Sequence, residues 1–353
     1  MWKKGMQPAT VVDLFCGIGG LTHGFVKEGF NVVAGIDVDV TCKYAFEKNN
    51  GATFIENDIE RVTVKEIMRL YPKRHWKILV GCAPCQPFSR YTIGKNNDEK
   101  WKLLRSFVKM IKGVRPDVVS MENVPELRKH SIYDEFITKL EDENYFVNSY
   151  MVYCPDYGVP QTRQRLVLFA SKFAKITIVK QTHSTENYRT VRDVIGHLGP
   201  IKAGQQSIED PLHQARNLSE LNLKRIKNTP PGGGWKDWDE DLVLECHKAE
   251  AGRSYPSVYG RMKWDEPAPT MTTHCGGLGN GRFGHPEQHR AISLREAALF
   301  QTFPMSYKFI EPGFHVVNKT LSRQIGNAVP VRLGIIIARS IKRHLEKYGE
   351  SHK

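Results

Sequence analysis

The pattern of apolar and polar positions divides the chain in two. Up to residue 170, short β-branched runs alternate with amphipathic segments. Runs at 10–15 (TVVDLF), 31–36 (NVVAGI), 53–55, 76–81 (WKILVG), 117–121, 145–152 and 166–170 predict strands. The segments 21–28, 40–49, 64–70, 100–114 and 132–142 predict helices, several with one apolar face. Continuous apolar strands separated by helices predict an α/β fold with a doubly wound, mostly parallel sheet. The pattern then breaks. Residues 184–289 are dense in Gly, Pro, His and Trp, as in NTPPGGGWKDW (228–238) and TTHCGGLGNGRFGHP (272–286). Turn chemistry of that kind predicts a second, loop-rich domain. Helical spacing returns at 293–301 and 331–347.

Composition narrows the picture. The 353 residues are 40% hydrophobic and 25% charged, which is the range of a globular protein. No apolar run reaches the roughly 18 residues of a membrane-spanning helix, and the first residues lack the apolar core of a secretory signal. A cytoplasmic protein without a membrane-spanning helix is therefore expected. Lys+Arg exceed Asp+Glu by 51 − 38 = 13. Residues 1–180 contribute +7 and residues 181–353 contribute +6, so the excess is spread evenly. Such a surface suits an anionic partner: nucleic acid, an anionic membrane surface or an acidic small molecule. The seven cysteines are an odd number, which argues for free thiols rather than a disulfide framework.

Three strand ends carry candidate chemistry. The first strand runs into Asp13-Leu14-Phe15-Cys16-Gly17-Ile18-Gly19-Gly20, where glycines permit a tight turn against a ligand. Asp37 ends the second strand and Asp58 follows the third, so an adenosine-bearing cofactor is expected. Thr22 stands where a full GxGxxG needs glycine, and a nicotinamide dehydrogenase remains an alternative. The fourth strand leads into Gly81-Cys82-Ala83-Pro84-Cys85-Gln86-Pro87-Phe88-Ser89. A zinc site would need further ligands at similar spacing. A dithiol redox pair and a single nucleophilic thiol are the other readings. The place at the carboxyl edge of the sheet favours Cys85 as nucleophile and leaves Cys82 as a packing residue. The fifth strand ends in Glu122-Asn123-Val124, which brings a carboxylate to the same edge.

In this order the segments resemble the DNA (cytosine-5) methyltransferases of the bacterial restriction–modification type. The resemblance rests on DLFCGIGG (13–20), PCQPFS (84–89), ENV (122–124), QTRQR (161–165), LREAALFQTFP (294–304) and QIGNAVP (324–330). It implies a Rossmann-like S-adenosylmethionine-dependent domain, formed by 1–183 plus 314–353. A target-recognition domain would span 184–313. It implies transfer of a methyl group to cytosine carbon-5 in double-stranded DNA, with S-adenosylhomocysteine as product and no metal. Cys85 is implied as the nucleophile at carbon-6 and Glu122 as the group holding the ring nitrogen and amine. Arg165, supported by Arg163, would be the fixed cation. Cofactor contacts are implied for Phe15, Gly17, Gly19, Gly20, Asp37, Asp58, Pro84, Asn327 and Val329. The loop bearing Ser89, Arg90 and Lys95 would close over a flipped base. Arg253, Arg261 and Arg282 are candidate DNA contacts. A monomer is expected, sharing its target with a cognate endonuclease that need not bind it. Two alternatives stay open: a transfer-RNA cytosine-5 methyltransferase and a catalytically silent DNA-binding relative.

Overall fold

A computed structural model describes residues 7–84, 97–249, 252 and 254–348. In chain order the elements are β1 (Ala9–Leu14), α1 (Gly20–Lys27), β2 (Asn31–Asp37), α2 (Lys43–Asn50), β3 (Thr53–Glu56), α3 (Val64–Arg69), β4 (Trp76–Gly81), α4 (Asn97–Val114), β5 (Val118–Asn123) and α5 (Ser131–Asp142). They continue with β6 (Phe146–Tyr153), β7 (Gln164–Ser171), α6 (Val191–Ile195), α7 (Glu220–Lys227), α8 (Glu245–Lys248), α9 (Leu294–Phe300), α10 (Asn318–Asn327) and α11 (Val331–Tyr348). Contacts divide the chain into two compact units.

The first unit contains 1–153, 164–181 and 329–353. Among the described residues it holds one seven-stranded sheet of order β3-β2-β1-β4-β5-β7-β6. Neighbours from β3 to β5 are parallel, and β7 is antiparallel to both β5 and β6. The mostly parallel sheet expected from the sequence is therefore present. β1, β4 and β5 are almost wholly buried, which explains why their sequences read as unbroken apolar runs. Phe107 of α4 packs against Phe136 of α5 in a core that also takes in Leu79, Val119 and Leu168. On another face α1 crosses α11 at glycines: a Cβ on Gly24 would lie 2.3 Å from the Gly334 carbonyl carbon. No larger residue fits that crossing.

The second unit contains 154–163 and 182–328. It combines an apolar core, in which Phe303, Tyr307 and Phe309 pack ring against ring, with a set of buried polar groups. Arg261 is 2% exposed, and its guanidinium donates to the carbonyls of Thr229 (2.7 Å), His285 (2.8 Å), Gln288 (3.0 Å) and Ile226. Arg290 forms two 2.7 Å bonds to the Glu296 carboxylate, both partners fully buried. Gln161 donates to Phe300 O and Gln301 Oε1, while Gln301 donates to Ile325 O. Three of the sequence segments singled out above are thereby tied together.

The expected boundaries shift at three places, the smallest at Thr182 and His183, whose amides both donate to Asp156 O in the second unit. Residues 154–163 belong to the second unit because Thr162 N donates to Ala268 O and Ala268 N to Pro160 O. Residues 314–328 belong there too: Asn318 donates to Gln214, and Ser322 meets Cys275 and Gly276. Among the described residues, four helices also went unread in the sequence, α6, α7, α8 and α10.

Candidate active site

The carboxyl edge of the sheet collects the chemistry of the first unit. β1 ends at Leu14, and Phe15, Gly17 and Gly19 all take left-handed φ (63°, 49° and 84°) before α1 begins at Gly20. Glycine tolerates that geometry; Phe15 adopts it at a cost, with its half-buried ring set edge-on to Phe107. Asp37 at the end of β2 faces this turn. Its Oδ2 accepts Gly17 N (2.8 Å) and its Oδ1 accepts Asp39 N (3.0 Å). Asp58, half-buried beyond β3, accepts Glu60 N at 3.0 Å. Asp13 was not singled out by sequence. It is 1% exposed, its Oδ2 accepts Thr22 Oγ1 at 2.6 Å, and its Oδ1 has no partner among the described residues. Burial, against the Thr22 hydrogen bond, pushes its carboxyl up to about 7. Two half-buried carboxylates at successive strand ends, beside a glycine turn, are a donor set that fits the hydroxyls and amine of a nucleoside-bearing group.

A second cluster lies at the ends of β4, β5 and β7. The parallel register pairs Gly81 with Met121, so Cys82 comes next to Glu122. The Cys82 thiol donates to Glu122 Oε2. On the other flank, β7 brings Arg165, whose Nε lies 3.0 Å from Glu122 Oε1. Glu122 is 3% exposed. Arg165 pairs with Glu122 without an aligned hydrogen bond to it, its Nη1 donating to Gln164 O instead, and Oε1 has no hydrogen-bond donor among the described residues. Asn123 Nδ2 donates to Ala83 O at 3.2 Å and ties the loop after β4 to β5. The thiol of Cys82 is pushed well above its ordinary range by burial and by the Glu122 charge, so it stays an S–H donor. Reading Cys82 as mere packing was therefore wrong.

Cys85, Ser89, Arg90, Lys95 and Arg253 lie outside the described residues. Pro84 is exposed, Val329 is buried in the first unit, and Asn327 is exposed at the end of α10 in the second. Arg163 is 3% exposed in the second unit, where its Nη1 donates to Met271 O at 2.9 Å. Arg261 is a correction. Its donors are spent on loop carbonyls, and burial lowers its guanidinium to about 10, so it clamps loops and is not a phosphate contact. Arg282 is half-buried and donates through Nη1 to the carbonyls of Gly232 and Gly233, which supports that turn. Among the described residues no group of three or more His, Cys, Asp or Glu could hold a metal ion, and no helix is long and apolar enough to cross a membrane.

Comparison with known proteins matches this arrangement to one family. The profile of the C-5 cytosine-specific DNA methylases matches residues 9–343. The chain is 57% identical to the Type II methylase M.HgiDII of Herpetosiphon aurantiacus, covering 97% of this chain and 98% of that one. It is 30% identical to the Type II methyltransferase M1.HphI of Haemophilus parahaemolyticus, over 94% and 86%. Among solved structures, a putative DNA modification methyltransferase encoded within an Escherichia coli prophage superposes with a TM-score of 0.72. It is 20% identical and covers 96% of this chain and 99% of that chain, a likeness of fold.

Proposed function

The chain belongs to the C-5 cytosine-specific DNA methylases, and from that premise we propose that the Cys82–Glu122–Arg165 edge holds the target cytosine while the turn at 13–20 holds S-adenosylmethionine. The protein is a DNA cytosine-5 methyltransferase, the modification enzyme of a Type II restriction–modification system. S-adenosylmethionine, when bound, supplies an electrophilic methyl group. The observation that carries the assignment is Glu122: a buried carboxylate with one oxygen free of hydrogen bonds among the described residues. Such a group is costly unless a ligand completes it.

The chemistry follows from what cytosine lacks. Carbon-5 is a weak nucleophile, and adding a thiolate at carbon-6 makes it a strong one. In this reading Cys85 forms the S–C6 bond and carbon-5 takes the methyl group. Loss of the carbon-5 proton then expels the thiolate and restores the ring. Glu122 accepts from the exocyclic amine and stabilises charge at the ring nitrogen, with Arg165 as the fixed cation beside it. Asp37 receives ribose hydroxyls and Asp58 the adenine amine, beside Phe15, Gly17, Gly19, Gly20 and Pro84. Asn327 and Val329 remain proposed contacts. A base in a duplex must be flipped to reach such a pocket; the 89–95 loop is assigned to cover it. The second unit is assigned to target recognition, with Arg253 and Arg282 as phosphate contacts and Arg261 removed. Duplex DNA is preferred over transfer RNA because the relatives named above are Type II enzymes.

The test is a duplex library made by polymerase with 5-fluorocytosine in place of cytosine. With S-adenosylmethionine present, carbon-5 cannot release a proton and the protein should be trapped covalently. Peptide mapping should place the adduct on Cys85. No adduct, or an adduct elsewhere, would overturn the assignment.

A further inference from the structure

Glu122 is gripped from both neighbouring strands. β5 lies between β4 and β7 in the sheet, so one flank of its last residues faces Cys82 and the other Arg165. The two flanking groups use different oxygens: Cys82 bonds Oε2, and Arg165 sits 3.0 Å from Oε1 without an aligned hydrogen bond. A carboxylate with a single donor could rotate about its last torsion, which is broad for this side chain. One held on both flanks keeps Oε1 as the oxygen available to a base. The backbone supports the same arrangement. Cys82 N donates to Leu14 O at 3.3 Å, and Asn123 fixes Ala83 O, so the thiol cannot swing away without disturbing β1 and β5.

We propose that Cys82 is a positioning residue for the methyl-transfer reaction, holding Glu122 through its S–H so that Oε1 faces the cytosine amine. The two cysteines of Cys82-Ala83-Pro84-Cys85 then have opposite tasks. One works as a thiol that donates a hydrogen bond. The other works as the thiolate that attacks carbon-6. The inference rests on the reading of Glu122 as the residue that holds the base.

The test compares Cys82→Ala, Cys82→Ser and Glu122→Gln, using labelled S-adenosylmethionine and unmethylated genomic DNA. Losing one hydrogen bond to a charged group should lower kcat roughly 10-fold in Cys82→Ala, with KM for DNA and S-adenosylmethionine within about 2-fold. Cys82→Ser keeps a donor and should restore the rate. A Cys82→Ala enzyme with wild-type kcat would overturn the inference. So would a serine variant as impaired as the alanine one, or a loss matched by a fall in the unfolding midpoint. Glu122→Gln separates the two levels. If it retains full turnover, the reading of Glu122 falls and the inference with it. If it is inactive while Cys82→Ala is normal, only the inference falls.

Discussion

The two units hold themselves together by different physics. The first buries apolar strands on both faces and fills the space between sheet and helices with Phe107, Phe136, Leu79 and Leu168. The second has apolar clusters too, one of Trp235, Trp238 and Leu242, another of Ile226, Leu278 and Ala291, and a ring cluster of Phe303, Tyr307 and Phe309, but no sheet to layer them on among the described residues. Its loops are joined through Arg261, Arg290, Glu296, Gln161 and Gln301. A layered core forgives the loss of any one hydrogen bond, because area drives it. A loop assembly does not, because each buried carbonyl left without a donor costs free energy.

Breaking the buried pair should have the largest effect on stability. Glu296→Gln leaves Arg290 charged and unmatched and should cost about 3–5 kcal/mol in urea unfolding, read locally by Trp235 and Trp238 fluorescence. Replacing both partners together by apolar residues of similar volume should recover most of that loss; failure to recover would mean the pair does more than satisfy itself. The Glu296 carboxyl is held down to about 2: burial opposes this, but the Arg290 hydrogen bonds and charge prevail. Its contribution is therefore present above the unfolded carboxyl range and is lost as pH falls through about 2. In the first unit, Phe107→Ala should cost ~3–5 kcal/mol by a different route, an apolar cavity, and no second substitution of a polar partner should rescue it.

Asp13 gives a smaller, pH-dependent effect of the opposite sign. Its folded carboxyl is raised to about 7, so the folded state holds a proton that the unfolded chain gives up at lower pH. The stability it allows is complete below the unfolded range and is lost as pH rises through about 7. Asp13→Asn should flatten the fall in unfolding midpoint between about pH 4 and 7; an unchanged slope would contradict the burial argument. Asp37→Ala should weaken S-adenosylmethionine binding roughly 10-fold, measured by calorimetry, with little change in stability. Unchanged affinity would remove Asp37 from the ribose.

The contrast also explains what the sequence could disclose. Strands and helices of the first unit follow periods of two and 3.6 or unbroken apolar runs, which are local signals. The turn at 13–20 and the carboxylates at Asp37 and Glu122 were legible because strand ends in such a sheet share one edge. In the second unit the decisive partners are far apart in sequence. Gln161 meets Gln301, and Thr162 meets Ala268, so nothing local marks 154–163 as part of that unit. An arginine among glycines looks the same on paper whether it faces phosphate or, like Arg261, a ring of carbonyls. Cys82 was missed for a related reason: only the β4–β5 register sets it beside Glu122.

The central claim is that this edge methylates cytosine at carbon-5 through Cys85. Its most direct test is to incubate wild type and Cys85→Ser with methyl-labelled S-adenosylmethionine and unmethylated genomic DNA, then digest the DNA to nucleosides. The wild type should place all label in 5-methyldeoxycytidine, and Cys85→Ser should place none. Label in a methylated exocyclic amine, or 5-methyldeoxycytidine formed by Cys85→Ser, would contradict the account.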